Sequence, residues 1–294
     1  MSKVPLSQNI ARTLARYRNP GLGQIAGVYA RALQLAWRDP ARRPSPEPRP
    51  EPRPERVVVT LTTIPARAHR LRATLRSLID QTEPADRIVL CLPEVSRRTG
   101  QPYPAPATLA LPEGVEVLRC TDAGPASKLL PTLRAEPKAR IVVVDDDVIY
   151  PRDFLAGLLA SHRADPAAAV GLRGVSVAPG VSFPALAHVL CSAISAPVPV
   201  DILFGTWGYL LPPGALDDAV QDFSGYPEAV RWVDDVWISG HLARRGVRRV
   251  VVPTRRFPVE TPGSAVQALT DGPNRSGQND AAAIAAFAPY WGGV

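Results

Sequence analysis

The stretch Ile141–Pro151, reading I-V-V-V-D-D-D-V-I-Y-P, constrains this chain more than any other. Four branched apolar residues, Ile141 to Val144, suit a strand buried on both faces. Asp145, Asp146 and Asp147 follow at once, where such a strand would end. Adjacent carboxylates repel each other, and desolvating them is costly unless a cation neutralises them. Oxygen-only ligands suit Mg²⁺ or Mn²⁺, which are usually held by one or two carboxylates plus substrate phosphates. Open α/β sheets bind ligands just beyond the carboxyl ends of their strands. The stretch therefore predicts a divalent-metal and phosphate site at a strand end. A solvated acidic turn is the plainer alternative.

The net charge of +7 has to be located before it can be interpreted. Residues 1–56 carry 11 Lys and Arg against 4 Asp and Glu, whereas residues 57–294 carry 23 of each sign. The high isoelectric point thus belongs to the N-terminal arm, and the remainder has no nucleic-acid-binding composition. An apolar content of 46% is ample for a core, so the bulk of the chain is globular. Cys91, Cys120 and Cys191 are widely spaced, odd in number and without a C-x-x-C pair. They indicate neither a disulfide framework nor a thiolate zinc site, and are read as small buried apolar residues in a reducing, cytoplasmic compartment.

The chain divides into a basic helical arm (1–39), a proline-rich linker (40–55) and a globular body (56–294). The arm has no long uninterrupted apolar run, hence no signal peptide or spanning helix is expected. Asn19-Pro20-Gly21 splits it into two helical stretches. Ile10, Leu14 and Tyr17 share a face of the first, and Ile25, Val28, Ala32 and Leu35 a face of the second. Arg12, Arg16, Arg18, Arg31 and Arg38 accompany them. Two readings stand: a peripheral contact with the anionic inner face of a membrane, or packing on the body or a partner protein. Seven prolines in residues 40–56, interleaved with Arg and Glu, form an extended spacer.

The body opens with Arg56–Thr63, a strand by its branched residues. Helical spacing follows over Arg67–Asp80, then short strands at Ile88–Leu92 and Val115–Leu118. A helix is expected at Ser127–Leu133, before the strand that carries the aspartates, and another at about Arg152–His162. Strand and helix alternating in this order imply a parallel sheet with helices on its faces. Further on, 170–177 reads as strand and Ala185–Ile194 as a short helix. Phe204-Gly205-Thr206-Trp207-Gly208-Tyr209 offers either a flat sugar-binding platform or a packed indole. Trp232-Val233-Asp234-Asp235 opens a helix that Gly246 ends. A strand is expected at Val247–Val252 and a helix near Asp280–Phe287.

With these residues in view, the body over roughly 56–252 resembles the GT-A glycosyltransferases, similar in flavour to bacterial family-A enzymes and the exostosin-like group. Three segments carry the resemblance in order: Thr62-Thr63-Ile64-Pro65 with Arg67, the aspartate triplet, and Trp232-Val233-Asp234-Asp235. The resemblance implies a Rossmann-like α/β fold with a mostly parallel sheet, a nucleotide-sugar donor (UDP-linked by expectation) and a hydroxyl acceptor of a glycan or other glycoconjugate. The triplet matches the D-x-D motif. Asp147 would then bind Mn²⁺ or Mg²⁺ directly, Asp145 the metal or the donor ribose, with Asp146 nearby on the donor side, and Thr62, Thr63 and Arg67 would hold the nucleoside. Asp235 would act as general base and Asp234 is the second candidate; a plainer reading has both carboxylates meeting the helix dipole. Lys128, just after the third strand, could reach the diphosphate as a point charge or be an ordinary surface lysine. Asp rather than Glu at 234 departs from common patterns. No clear downstream histidine ligand is evident, His188 and His241 being the candidates.

Rival readings are a haloacid-dehalogenase-type phosphatase, whose nucleophile motif is also apolar residues then D-x-D, and a non-catalytic scaffold with a partner-binding arm. Two strand–helix units before Asp145 count against the first, and the intact carboxylates against the second. Nucleotidyl transfer would want a glycine-rich, basic phosphate loop after the first strand, which is missing.

Overall fold

The computed structural model describes residues 22–37, 53, 55–260 and 277–292. The first arm helix and most of the proline-rich linker expected from sequence lie outside the described residues. Strand β1 (Val57–Thr62) anchors the fold. Val57, Val58, Val59 and Leu61 are all fully buried, as branched and apolar residues on both faces require. It pairs in parallel with β2 (Arg87–Pro93) on one side and β4 (Arg140–Val143) on the other, with Val59 opposite both Ile88 and Val142. Strand β3 (Val115–Cys120) adds in parallel to β2.

Beyond β4 the sheet changes character. Strand β11 (Tyr209–Leu211) inserts antiparallel between β4 and β6 (Ala169–Gly171); β12 (Arg249–Val251) and β9 (Val198–Pro199) complete the order β3-β2-β1-β4-β11-β6-β12-β9. Two small sheets stand apart: β7 (Arg173–Val175) between β8 (His188–Leu190) and β10 (Ile202–Leu203), and β5 (Val148–Ile149) with β13 (Val259–Glu260). This is the mostly parallel, helix-flanked sheet that the alternation of elements implied.

Six α-helices are described: α1 (Leu22–Trp37), α2 (Arg72–Ile79), α3 (Leu130–Ala135), α4 (Phe154–Ala164), α5 (Asp234–Arg244) and α6 (Gln278–Ala286). Several are shorter than their apolar spacing suggests. Arg67–Asp80 begins with a 3-10 turn at Ala68–Arg70, and Ser127–Leu133 divides into a 3-10 turn at Gly124–Lys128 and α3, where Pro131 fits the first helical turn. Gly246, at φ +69, follows the end of α5.

One sequence expectation is corrected and one open alternative is decided. Ala185–Ile194 is not a helix: its centre forms β8, held by β7 through Val189 opposite Gly174. Trp207 is not a sugar platform. It is 2% exposed and stacks on Phe257 at 5.1 Å between ring centroids. Its φ of +78 is the sole left-handed value of a non-glycine residue among those described, so packing there overrides a backbone penalty.

Helix α1 packs on the body. Leu35 is buried, Arg31 pairs with Asp80 at 2.8 Å, and Arg76 donates to the Leu35 carbonyl at 2.6 Å. No helix among the described residues is long and apolar enough to cross a membrane.

Candidate active site

Because β1 and β4 run in parallel, their carboxyl ends deliver Thr62-Thr63 and Asp145-Asp146 side by side. The Thr63 hydroxyl donates to Asp146 Oδ2 at 2.6 Å, and Thr62 donates to the Cys91 carbonyl at 2.8 Å. After β1 the chain turns, with the Arg67 N–H on the Ile64 carbonyl, and the Arg67 guanidinium comes back over the acidic turn. It lies 2.9 Å from Asp146 Oδ1 and 2.7 Å from Asp147 Oδ2. The turn itself is braced from below: Thr74 donates to the Asp146 carbonyl, and the Asp145 N–H donates to the Tyr150 hydroxyl.

The second acidic pair arrives from the opposite direction, in the first turn of α5. Asp235 Oδ1 accepts the Gly205 N–H at 2.8 Å. Between the two carboxylate groups stands Lys128, whose ammonium lies 3.2 Å from Asp145, 2.9 Å from Asp234 and 3.9 Å from Asp235. Lys128 is carried on the 3-10 turn after β3, and its carbonyl accepts a hydrogen bond from the Thr60 hydroxyl of β1. The structure therefore draws Thr63, Arg67, Lys128, Asp145, Asp146, Asp147, Asp234 and Asp235 into one connected network. Gly205 belongs to it by necessity, since a Cβ at that position would overlap the Lys128 ammonium and lie 3.1 Å from Asp235 Oδ1.

Electrostatics at this rim follow from burial and crowding. Burial, with Asp146 and Asp145 alongside, pushes the Asp147 carboxyl up to about 7 despite Arg67. Burial also raises Asp146, against the pull of Arg67 and the Thr63 hydrogen bond. Burial and Asp234 push Asp235 up to about 8, opposed by Lys128. For Lys128 burial works against the charge, but Asp145, Asp234 and Asp235 outweigh it and hold the ammonium well above its ordinary value.

Among the described residues, five carboxylates at this rim are thus matched by two basic partners within ion-pair distance, Arg67 and Lys128. That deficit of positive charge is what a divalent cation removes, so the donor set fits Mg²⁺ or Mn²⁺. Among the described residues no three His, Cys, Asp or Glu side chains converge to close a cage. Such a cation would be held by Asp145 and Asp147, whose oxygens meet Lys128 at 3.2 Å and Arg67 at 2.7 Å. His188 and His241 add nothing to such a set. His188 stacks on Phe204 beside Arg173, and His241 is buried against Trp237 and Phe287.

A pocket opens on Asp145 and Asp146 of the triplet, and Asp147 is not among its lining residues. It is lined by Thr62, Thr63, Arg67, Lys128, Asp145 and Asp146, together with Ser96, Arg98, Tyr103, Asp122, Gly124 and Trp232. Sequence reasoning missed Tyr103, which lies in a proline-rich loop and reaches the site by donating to the Thr63 carbonyl at 3.0 Å. Asp122 follows β3 and organises the wall, accepting from the Gly124 and Arg97 N–H groups at 2.7 and 2.6 Å. Its position just past a parallel strand was the available signal.

Over residues 52–276 the sequence matches the family described as glycosyltransferase like family 2. The chain belongs to that family and is a nucleotide-sugar glycosyltransferase, which removes the phosphatase and scaffold readings. Comparison with curated protein sequences gives no match. Solved structures of similar shape include 4-diphosphocytidyl-2C-methyl-D-erythritol synthase, at 15% identity and a TM-score of 0.42 over 72% of this chain and 95% of that one. Another is S. aureus TarS 1-349 in complex with UDP, at 14% identity and a TM-score of 0.45 over 71% of this chain and 61% of that one.

Proposed function

We propose that this enzyme transfers a sugar from a UDP-linked donor to a hydroxyl group of a glycan or glycoconjugate acceptor, with a divalent metal at Asp145 and Asp147 and Asp235 as general base. The observation that carries the reading is the Lys128 ammonium, 3.2 Å from Asp145 and 3.9 Å from Asp235. It links the donor-side triplet to the acceptor-side pair, and displacement at a sugar carbon needs a leaving diphosphate and a base within one substrate's span.

In this scheme Thr62, Thr63 and Arg67 line the nucleoside pocket, with Tyr103 and Trp232 supplying flat faces. The acceptor oxygen bonds to the anomeric carbon as its proton passes to Asp235. The anomeric C–O bond breaks with its electron pair leaving on the nucleoside diphosphate. Asp235 suits the base role better than Asp234, which is held at 2.9 Å by Lys128. A raised proton affinity, from burial and Asp234, brings Asp235 into the range where a general base works near neutral pH. A bound Mg²⁺ or Mn²⁺ would supply charge stabilisation of the departing diphosphate.

The test compares two variants in transfer and in nucleotide binding. Asp235→Asn should lower transfer by about 10² to 10⁴-fold while leaving metal-dependent UDP binding intact. Asp147→Ala should lose both. Equal loss of UDP binding in the two variants would overturn the assignment of roles.

A further inference from the structure

Helix α1 has two unlike sides. Toward the body it presents Arg31 and Leu35, which meet Asp80 and Arg76, and the Arg31 Nε also donates to the Tyr150 carbonyl at 3.3 Å. Away from the body it presents Tyr29, Leu33 and Trp37, spaced four residues apart along one stripe. At about 100° per residue this stripe points about 180° from the mean direction of Arg31 and Leu35. Its exposures are 45%, 64% and 87%, and these residues are three of the seven large apolar side chains exposed among those described.

Beside α1 runs a groove floored by Ile149, Pro151 and Phe257 and edged by Arg31, Arg152 and Arg256. The Arg152 and Arg256 side chains are 51% and 72% exposed. The groove meets α1 at Gly27 and Arg31, the stripe faces away from the body on the same helix, and Arg152 and Arg256 pair with Asp80 at 3.4 Å and Asp153 at 3.6 Å.

The charge of the chain selects the occupant. Residues 1–56 hold an excess of seven positive charges, and residues 57–294 are balanced, so a second copy of this chain is not the arm's charge complement. An anionic bilayer complements both features: Trp and Tyr settle at the headgroup level, basic side chains meet lipid phosphates, and two such signals together give stable attachment. We infer that α1 docks this enzyme on an anionic phospholipid surface through Tyr29, Leu33 and Trp37, with Arg152 and Arg256 meeting headgroup phosphates.

The full chain should sediment with vesicles of phosphatidylcholine mixed with phosphatidylglycerol, and weakly or not at all with phosphatidylcholine alone. High salt should release it. Replacing Tyr29, Leu33 and Trp37 together by Ser should weaken vesicle binding about tenfold or more. Its thermal midpoint and its transfer to a water-soluble acceptor should not change, because the three side chains face outward. Arg152→Gln with Arg256→Gln should weaken binding to anionic vesicles as well. The inference is overturned if the wild-type chain ignores anionic vesicles, or if the serine variant binds them as wild type does. A dimeric wild type that becomes monomeric in the serine variant would mark the stripe as a self-interface and overturn it too.

Discussion

Gly205→Ala separates the stability of the fold from the chemistry of the site. The added Cβ would overlap the Lys128 ammonium and approach Asp235 Oδ1 to 3.1 Å. Non-bonded atoms settle at about 3.5 Å, so the ammonium must retreat by about 1 Å or more, lengthening its contacts with Asp145 and Asp234. The clashing atom is the tip of a flexible lysine, which can swing without moving backbone. Stability should therefore fall by only about 1 to 2 kcal/mol, most of it from a weakened hydrogen bond between the Gly205 N–H and the Asp235 carboxylate. Catalysis has no such slack, since a 1 Å misplacement near the reacting groups costs on the order of 10²-fold. The assay is steady-state transfer with UDP-sugar and acceptor, alongside denaturant unfolding and UDP titration of the same preparation. A variant that keeps wild-type kcat/KM would refute the view that Gly205, Lys128 and Asp235 act as one unit.

Lys128→Met should leave Asp145, Asp234 and Asp235 facing one another without their shared cation, a loss of about 3 to 5 kcal/mol. Thermal melts should show Mn²⁺ recovering part of it, and full stability without metal would contradict the charge deficit described above. Trp207→Ala should cost about 3 to 5 kcal/mol through the cavity beneath Phe257, with the left-handed backbone penalty retained because alanine keeps a Cβ, as read by urea unfolding. His241 is buried with no hydrogen-bond partner on either ring nitrogen among the described residues, and burial lowers it to about 4. The unfolded chain then binds the proton more readily, so stability present above pH ~6.5 is lost as pH falls toward 4, by up to roughly 3 kcal/mol. His241→Phe should flatten that window of the pH–stability curve relative to wild type; an unchanged slope would assign it to other groups.

The first half of the fold was legible because its signals are local. Runs such as Val57–Leu61 and Ile141–Val144 read as buried strands, and three aspartates directly after the second called for positive charge, part of which Arg67 and Lys128 supply. The second half was not, because its elements are two or three residues long and exist only through distant partners. Tyr209–Leu211 becomes a strand by inserting between Arg140–Val143 and Ala169–Gly171, and no period in its own sequence announces that. His188–Leu190 sits in an apolar run compatible with either helix or strand, and pairing with Arg173–Val175 decides it. At the site, the sequence pointed to the aspartates and nominated Lys128 as a diphosphate contact, but did not place it between Asp145 and Asp234. Lys128 lies 17 residues before Asp145 and more than 100 before Asp234, so only the folded chain brings them together. Gly205 lies in a segment that reads as a sugar platform or a packed indole; in the fold it makes room for Lys128 and Asp235.

The central claim is a metal-dependent donor site at Asp145–Asp147, and calorimetric titration of UDP with and without Mn²⁺ tests it most directly. Binding that requires Mn²⁺, disappears with chelator and is absent from Asp147→Ala is the predicted result. UDP binding that is indifferent to Mn²⁺ and unchanged in Asp147→Ala would contradict it.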